Sequence, residues 1–539
     1  MLSRTLITGI LLASGAFAQL TSFPKPSYFR ETFSRSRPMV ELKDPVRLKD
    51  FVVGDRLELS LKNFLSLVMS NNTDIQIQML SLDLPKDAIS RAFSTWDPVA
   101  RASFSATRTL SPSTSTLDGL TATTSTLASL SQPAQFSYSQ TLPTGASYGV
   151  TYSAGKTSTS STNALYNPSL SSNLAFTASQ PLIKNRGSYV NRLGVMSARS
   201  RYRQSEYNLR AQLLTLVNAA ENAYWDVVSA RESLKVAEGA RDVSAAFLKL
   251  SEKQLELGAL SPLDIYNPQQ QLATNELTVS QARFALVQKE DALRKQISID
   301  LDPALRKLPV VLTESVDIMT ASTDVDAEQA VARALANRPD LKSTVQNLDI
   351  DDLAIQSARN GLLPNLSLSF NYSAQGIGGN FLPTSSAGGL TDALSQMFSF
   401  GYPVYGFGLN LTLPIKSHSA SADMADAVSN RKRDALNVRT AEQGVRLDIL
   451  NAVVSLQGSV EQLKLARLAR DFAQKNLDAE NKKYELGTDI NQNVILAQNA
   501  LVQAESNVVV NQIGLRRNLL TVLTKTGELL DERGIVIQP

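Results

Sequence analysis

The spacing of apolar residues along this chain switches repeatedly between two and three to four. Ala100, Ala102, Phe104 and Ala106 alternate with the polar Arg101, Ser103, Ser105 and Thr107. Leu366, Leu368, Phe370 and Tyr372 alternate in the same way with Asn365, Ser367, Ser369 and Asn371. After a gap, Tyr405, Phe407, Leu409, Leu411 and Leu413 alternate with Gly406, Gly408, Asn410 and Thr412, and Leu174, Phe176 and Ala178 form a weaker version. Successive side chains on a strand point to opposite faces, so each run predicts a strand with one apolar and one polar face. The runs are about 9–11 residues long, enough for a tilted strand to cross a bilayer. A half-buried soluble sheet has the same pattern, and alternation alone does not separate the two.

Elsewhere the period is helical. Short amphipathic helices are predicted from Leu61 to Met69 and from Ala327 to Ala336, the second opened by Asp326 with Gln329 in a capping-box arrangement. Medium helices follow over 74–95 and 341–360. From 187 to 256 and from 415 to 486 there is no proline. Each stretch predicts a rod of roughly 70 residues, on the order of 100 Å at ~1.5 Å per residue. In the second rod Ile449, Val453, Leu456, Val460 and Leu463 step by four and three, which is a coiled-coil seam. The rods end at Gly258 and Gly487, where glycine suits a helix C-cap, and the chain then reverses into a further helix. No small domain buries a helix of that length, so the rods must pack lengthwise against others.

The two sets of elements are copies. Asn71-Asn72-Thr73-Asp74-Ile75 matches Asn337-Arg338-Pro339-Asp340-Leu341, and the same offset pairs Asp83 with Asp349, Pro98 with Pro364 and Phe104 with Phe370. A second offset pairs Leu257-Gly258 with Leu486-Gly487. It also lays the heptad ladder Ile265, Leu272, Val279, Leu286, Leu293 on Val494, Leu501, Val508, Leu515, Val522. Internal repetition at this scale means a duplicated structural unit. A further hairpin, with Phe136 and Tyr138 before Pro143-Thr144-Gly145 and Tyr148, Val150 and Tyr152 after, occurs only in the first half, and pattern alone does not decide whether it joins the other strands. The Ser/Thr-rich stretches 110–132 and 156–172, and the Gly/Ser-rich 374–403, predict surface loops.

Composition narrows the function by exclusion. Lys and Arg total 53 against 50 Asp and Glu, scattered without a basic stripe, so no nucleic acid partner is expected. Cysteine is absent and His418 is the one histidine, standing in a polar stretch that predicts a solvated side chain. Thiol nucleophiles, disulfides and histidine triads are therefore excluded. Paired carboxylates, nucleophile elbows, phosphate loops and metal clusters at chemical spacing are missing, so no enzyme and no cofactor is expected. Asp83 and Asp351-Asp352 read as solvated charges on a helix face. At the start, Arg4, the apolar Leu6 to Leu12 and Ala16-Phe17-Ala18 have the form of a signal peptide cleaved before Gln19. No later run has the ~18–20 apolar residues of a membrane helix, so insertion into a bilayer would use strands.

With these residues in hand, the chain resembles the TolC-like outer-membrane efflux proteins over about 57–527. The resemblance rests on Asn-Arg-Pro-Asp-Leu (337–341), Leu-Leu-Pro-Asn-Leu-Ser-Leu-Ser (362–369), Ser-Gln-Pro-Leu-Ile (179–183) and Tyr-Glu-Leu-Gly-Thr (484–488), in order and after a signal peptide. It implies an α+β membrane protein with two tandem repeats. Long coiled-coil hairpins would form a periplasmic α-helical tunnel, and four main β-strands per subunit would contribute to a transmembrane β-barrel in a homotrimer. The expected organisation is a signal peptide (1–18), an N-terminal extension (19–56), the first repeat (57–300), a linker (301–325), the second repeat (326–527) and a C-terminal tail (528–539).

The function so implied is a passive exit duct of a tripartite efflux or type I secretion system. It would sit in the outer-membrane lipid of a Gram-negative bacterium, with a periplasmic adaptor (membrane fusion) protein and an inner-membrane pump of RND or ABC type as partners. By the same resemblance Gly258, Ala259, Leu260, Ser261, Gly487 and Thr488 would meet the adaptor, though both glycines also read as plain turn residues. A periplasmic gate would lie at Asp264, Asp489, Asn493 and Leu496. Here the chain departs from the family pattern. Asp489 stands where a basic residue is often found, so it offers Asp264 no salt bridge. Asn493 and Leu496 replace two acidic lumen positions. A gate held by hydrogen bonds and packing, rather than by a ring of carboxylates, is the expectation; the alternative is that Asp264 and Asp489 are ordinary solvated turn residues. The competing reading of the whole chain is an exported coiled-coil surface fibre or adhesin.

Overall fold

The computed structural model describes residues 51–53, 56–112, 126–161, 163–258, 261–298, 308–314, 325–384 and 386–535. The predicted signal peptide, residues 19–50 of the extension, Ala259, Leu260, most of the linker and residues 536–539 lie outside them.

The first half opens with β1 (Arg56–Leu59) and α1 (Leu61–Asn71). Ser60 caps α1 by accepting from the Asn63 N–H, and Phe64, Leu65, Leu67 and Val68 form its buried stripe. Asn72 then ends one helix and starts the next. Its side-chain oxygen accepts from Asp74 and Ile75 N–H at the head of α2 (Thr73–Leu80), while its amide donates to Gln296 O at 3.0 Å. The medium helix expected over 74–95 is broken, because α3 (Asp83–Ala92) starts separately. Pro85 lies in the first turn of α3, where its missing N–H costs nothing; continued from α2, it would have left Ser81 O without a donor. The counterpart of Pro85 in the second half is Asp351, and there the helix is continuous.

The strands follow as β2 (Val99–Phe104), β3 (Thr107–Pro112), β4 (Thr126–Thr141), β5 (Ser147–Thr159) and β6 (Tyr166–Pro181). Then come the rod α4 (Leu193–Glu256, 64 residues) and α5 (Tyr266–Gln296). A short strand β7 (Val310–Leu312) pairs in parallel with β1, with Leu57 opposite Val310. The second half repeats the order as α6 (Ala327–Asn337), α7 (Pro339–Gly361) and β8 (Asn365–Phe381). It continues with a loop helix α8 (Leu390–Phe398), β9 (Pro403–Thr412), the rod α9 (His418–Glu485, 68 residues) and α10 (Asn491–Thr526), and closes with α11 (Leu529–Glu532). Asp326 caps α6 as expected, accepting from Glu328 N–H, one position short of Gln329.

The main sheet is antiparallel throughout. Its order is β2 and β3 on β4, then β5, β6, β8 and β9. The hairpin that the pattern left open therefore lies inside the same sheet, between β2/β3 and β6. The loop expectation needs correction. Residues 126–132, much of 156–172 and 374–381 are strand, and β6 and β8 run to 16 and 17 residues. Serine and threonine look like loop composition, yet on the polar face of a two-faced strand they keep the alternation intact.

Instead of one core there are narrow seams. Ile449, Val453, Leu456 and Leu463 are buried as the heptad predicts, and so are Val494, Leu501, Val508, Leu515 and Val522. The heptad residues of one α10 face thus fill a lengthwise seam against α9.

Candidate channel wall and hairpin tips

Paired residues in an antiparallel sheet share a face, so reading across the ladders gives each surface directly. One row runs Ala100, Tyr138, Val150, Phe176, Tyr372, Tyr405. The neighbouring row runs Val99, Ser139, Gly149, Thr177, Asn371, Gly406. One surface is apolar and aromatic, the other lined by hydroxyls, amides and glycine. The apolar side is bare: Phe407 is 83% exposed, and Phe104, Tyr405 and Leu409 are exposed as well. In water such a surface would be costly at about 25 cal/mol per Å².

The helices form a second layer of similar logic. Side by side the order is α5, α4, α10, α9. Of these four, α4 and α10 have another of the four on each side, and α7 packs on both α4 and α9. The outer helices carry apolar residues that stay exposed among the described residues: Leu277 and Phe284 one heptad apart on α5, and Leu447, Val454, Leu465, Leu468 and Phe472 on α9.

At the far ends of the hairpins Gly258 has φ +73° and Gly487 φ +70°, the left-handed conformation that glycine adopts without strain. Each follows a C-cap residue, Leu257 or Leu486, and closes its helix at the predicted position. Gly487 N–H donates to Tyr484 O and Thr488 N–H to Lys483 O, and the Thr488 hydroxyl donates to the same Lys483 carbonyl. Ser261 holds the first tip, its carbonyl accepting from Asp264 N–H and its hydroxyl oxygen from Leu263 N–H. Ala259 and Leu260 fall outside the described residues. Asp489 accepts from Ile490 N–H at 2.8 Å and from the Asn493 amide at 2.6 Å. Its carboxyl is held below the usual range, first by its hydrogen bond with the Glu480 carboxyl and then by these two donors. Leu496 is exposed.

The residue that joins the tips was not foreseen. Asn491 is buried, and its side-chain amide donates to the main-chain oxygen of Asp264. The sequence held one signal: the repeat offset puts Pro262 opposite Asn491, so the two tips differ there. Behind the tips Tyr484 hydroxyl donates to Gln254 Oε1 at 2.6 Å and its ring packs on Phe247 at 5.4 Å. Gln271 and Asn499 exchange amide hydrogen bonds between α5 and α10.

Nearer the sheet, charges tie the helices together. Asp448 on α9 accepts from Arg338 at 3.1 Å and from Lys525 at 2.9 Å. Partial burial alone would raise the Asp448 carboxyl, but the Lys525 and Arg338 hydrogen bonds hold it below its ordinary value. Asp352 pairs with Arg431, in line with a surface charge. Asp351 is a correction: one carboxylate oxygen is buried without a partner, and burial, with Asp434 adding to it, pushes its pKa up. Burial also drives the Tyr224 phenol to about 12, where it bridges Leu59 O and Glu314 N–H.

Among the described residues no group of three or more His, Cys, Asp or Glu is placed to hold a metal, and no helix is long and apolar enough to cross a membrane. The model of the family described as outer membrane efflux protein matches residues 147–297 and 330–527, more than half of the chain. This chain belongs to the outer membrane efflux protein family.

Family membership accounts for the duplicated layout and places the chain in the outer membrane. Among relatives of this chain, the pyoverdine export outer membrane protein OpmQ of Pseudomonas aeruginosa is 24% identical over 314 residues, 58% of this chain and 61% of OpmQ. Outer membrane protein TolC of Salmonella enteritidis is 25% identical over 323 residues, 57% of this chain and 61% of TolC. The chain thus spans about three fifths of the length of the curated relatives it matches. The fold is also that of the Campylobacter jejuni CmeC outer membrane channel, with a TM-score of 0.62 at 16% identity, covering 92% of this chain and 90% of CmeC.

Proposed function

We propose that this protein is one subunit of a passive exit duct, closed by copies of itself. The observation that carries this is that, among the described residues, both layers end in free edges. The sheet stops at β2/β3 on one side and β9 on the other, and the helical layer stops at α5 and α9, each with an uncovered apolar stripe. An open sheet edge is not tolerated in lipid, so the sheet must close into a barrel. A cyclic arrangement sets the β9 edge of one copy beside the β2/β3 edge of the next, and α9 beside α5, closing both layers together. Three copies is the number the family resemblance supplies. The apolar face then meets lipid and the polar face lines a wet lumen.

At the periplasmic end, the tips around Gly258–Ser261 and Gly487–Thr488 are the proposed contact with a periplasmic adaptor, behind which an inner-membrane pump of RND or ABC type supplies the energy. The gate is proposed to be held by Asn491 on Asp264 and by the Asp489–Asn493 bond, a hydrogen-bonded clasp that agrees with the missing carboxylate ring. A fibre would leave the two-faced sheet without a role.

The test is to reconstitute the purified protein in planar bilayers. Discrete single-channel steps from a heat-modifiable oligomer are expected; a monomer in detergent-free buffer, with no conductance, overturns the reading. For docking, Leu260→Asp or Thr488→Arg is expected to abolish export at normal oligomer levels, and unaltered export would remove the adaptor from these tips.

A further inference from the structure

The loop between β8 and β9 carries a helix whose position alternation does not explain. Gly376 and Gly378 lie on the apolar face of β8, in step with Leu368, Phe370 and Tyr372. Helix α8 is pressed on that face. A Cβ at Gly376 would sit 1.9 Å from Ala393 O, and one at Gly378 would sit 2.3 Å from Gly389 O. Ala393 and Met397 are the buried side of α8, Met397 touching Ser172 of β6 on the same surface, and Gln396 accepts from Ile377 N–H. The helix is therefore seated flat on the outward face of the wall, over β8 and β6.

Its height follows from β9. Ten residues at ~3.4 Å, tilted by ~40°, rise about 25 Å, the height of the apolar band of such barrels. The top of β9 is Pro403, opposite Ala374, so Gly376 and Gly378 lie just above that band. The exposed side of α8 is mixed, with Thr391, Asp392 and Ser395 beside Leu390 and Phe398, and the apolar surface continues just past the helix. Leu390, Phe398, Phe400 and Tyr402 are all exposed, Phe398 at 63%. Phe400 occupies the left-handed position at the helix end, φ +52°, where glycine is usual, and its ring meets Tyr372 at 6.3 Å. An aromatic residue thus takes the left-handed position while its ring stays on the apolar face.

We infer that α8 is a lipid-contacting collar, resting at the outer-leaflet boundary with Phe398, Phe400 and Tyr402 in contact with the acyl-chain ends of the head-group zone. Interfacial helices and aromatic girdles bind there by burying apolar area while leaving their polar groups wet. Residues 382–402 contain no Lys or Arg, so this segment itself offers lipid phosphate no cation, and the nearest one in register is Lys156 of β5, two strands from Gly378. The surface is continuous with the bare apolar face of the strands, which commits its occupant to the same lipid.

This rests on the barrel reading, and the experiment separates the two. The protein has no cysteine, so single nitroxide labels are unambiguous. Full-length Phe398→Cys, Phe407→Cys and Ser369→Cys are labelled in phospholipid vesicles, and collisions with oxygen and with a water-soluble nickel chelate are compared by paramagnetic resonance. The oxygen-to-nickel ratio at Phe398 is expected about threefold or more above that at lumenal Ser369 and below that at mid-strand Phe407. A ratio equal to Ser369 puts α8 in water. Low collision with both reagents puts it under protein. Either overturns the collar. If Phe407 itself behaves like Ser369, the barrel reading fails first. Tyr402→Cys replaces Phe398→Cys should the latter not assemble.

Discussion

The side-chain amide of Asn491 donates to the main-chain oxygen of Asp264 at 2.9 Å, and this bond fastens the tip of one long hairpin to the tip of the other. Asn491 is buried while Asp264 is exposed, so the clasp is anchored from the α10 side.

Replacing Asn491 by Leu removes that donor. A neutral hydrogen bond is worth about 1 kcal/mol, or about fivefold in a local opening equilibrium. Hydrogen exchange of amides at 263–266 is expected to rise about that much in Asn491→Leu, with the sheet unchanged. Equal exchange in both proteins would show that the tips are held elsewhere.

Asp448 gives a pH dependence. Its pKa is depressed in the fold, so its contribution is present above the unfolded value and is lost as pH falls through the lower folded value. The carboxylate is 38% exposed, and with screening its loss is worth about 1 kcal/mol. Guanidinium midpoints of the wild type and Asp448→Asn are expected to differ at pH 7 and to converge as pH drops below the ordinary carboxylate range.

Arg533 chelates Glu221 with two bonds of 2.7 and 3.0 Å, and Glu221 is only 2% exposed. Truncating one partner leaves a buried charge without its counterion. Arg533→Leu is expected to cost about 3–5 kcal/mol, and adding Glu221→Gln should restore much of it. Thermal unfolding of both variants measures the difference. A single variant as stable as the wild type would mean the C-terminal turn detaches freely.

Phe284, 68% exposed on α5, sits on the stripe proposed to meet the α9 of a neighbouring copy. Phe284→Lys is expected to shift the protein from oligomer to monomer by about tenfold or more in dissociation, read by native mass spectrometry. The folded chain itself should be untouched, since Phe284 belongs to none of its buried seams. A normal oligomer would place the interface off this stripe.

Much of the wall could be read from the chain because its rules are local. Two-residue alternation around Phe370 and Phe407, the heptads from Ile265 and Val494, and the cap glycines Gly258 and Gly487 each follow from neighbours within a few positions. The break at Pro85 is equally local, since a proline inside 74–95 ends one helix and opens the next. Strand ends were harder, since Ser/Thr-rich strand and Ser/Thr-rich loop differ only in whether a partner strand is alongside.

The sequence by itself determined the duplicated order of elements, the two faces of every strand and the lengthwise seams, because spacing alone decides which side chains share a side. Tertiary structure decided which elements lie together: that the hairpin 126–159 joins the sheet, that Asn491 reaches Asp264 and Arg533 reaches Glu221, and that α8 lies on the apolar face of the sheet. Those relations join residues far apart in the chain, and no periodicity encodes them. They arise only once the repeats pack and α8 comes to rest on Gly376 and Gly378.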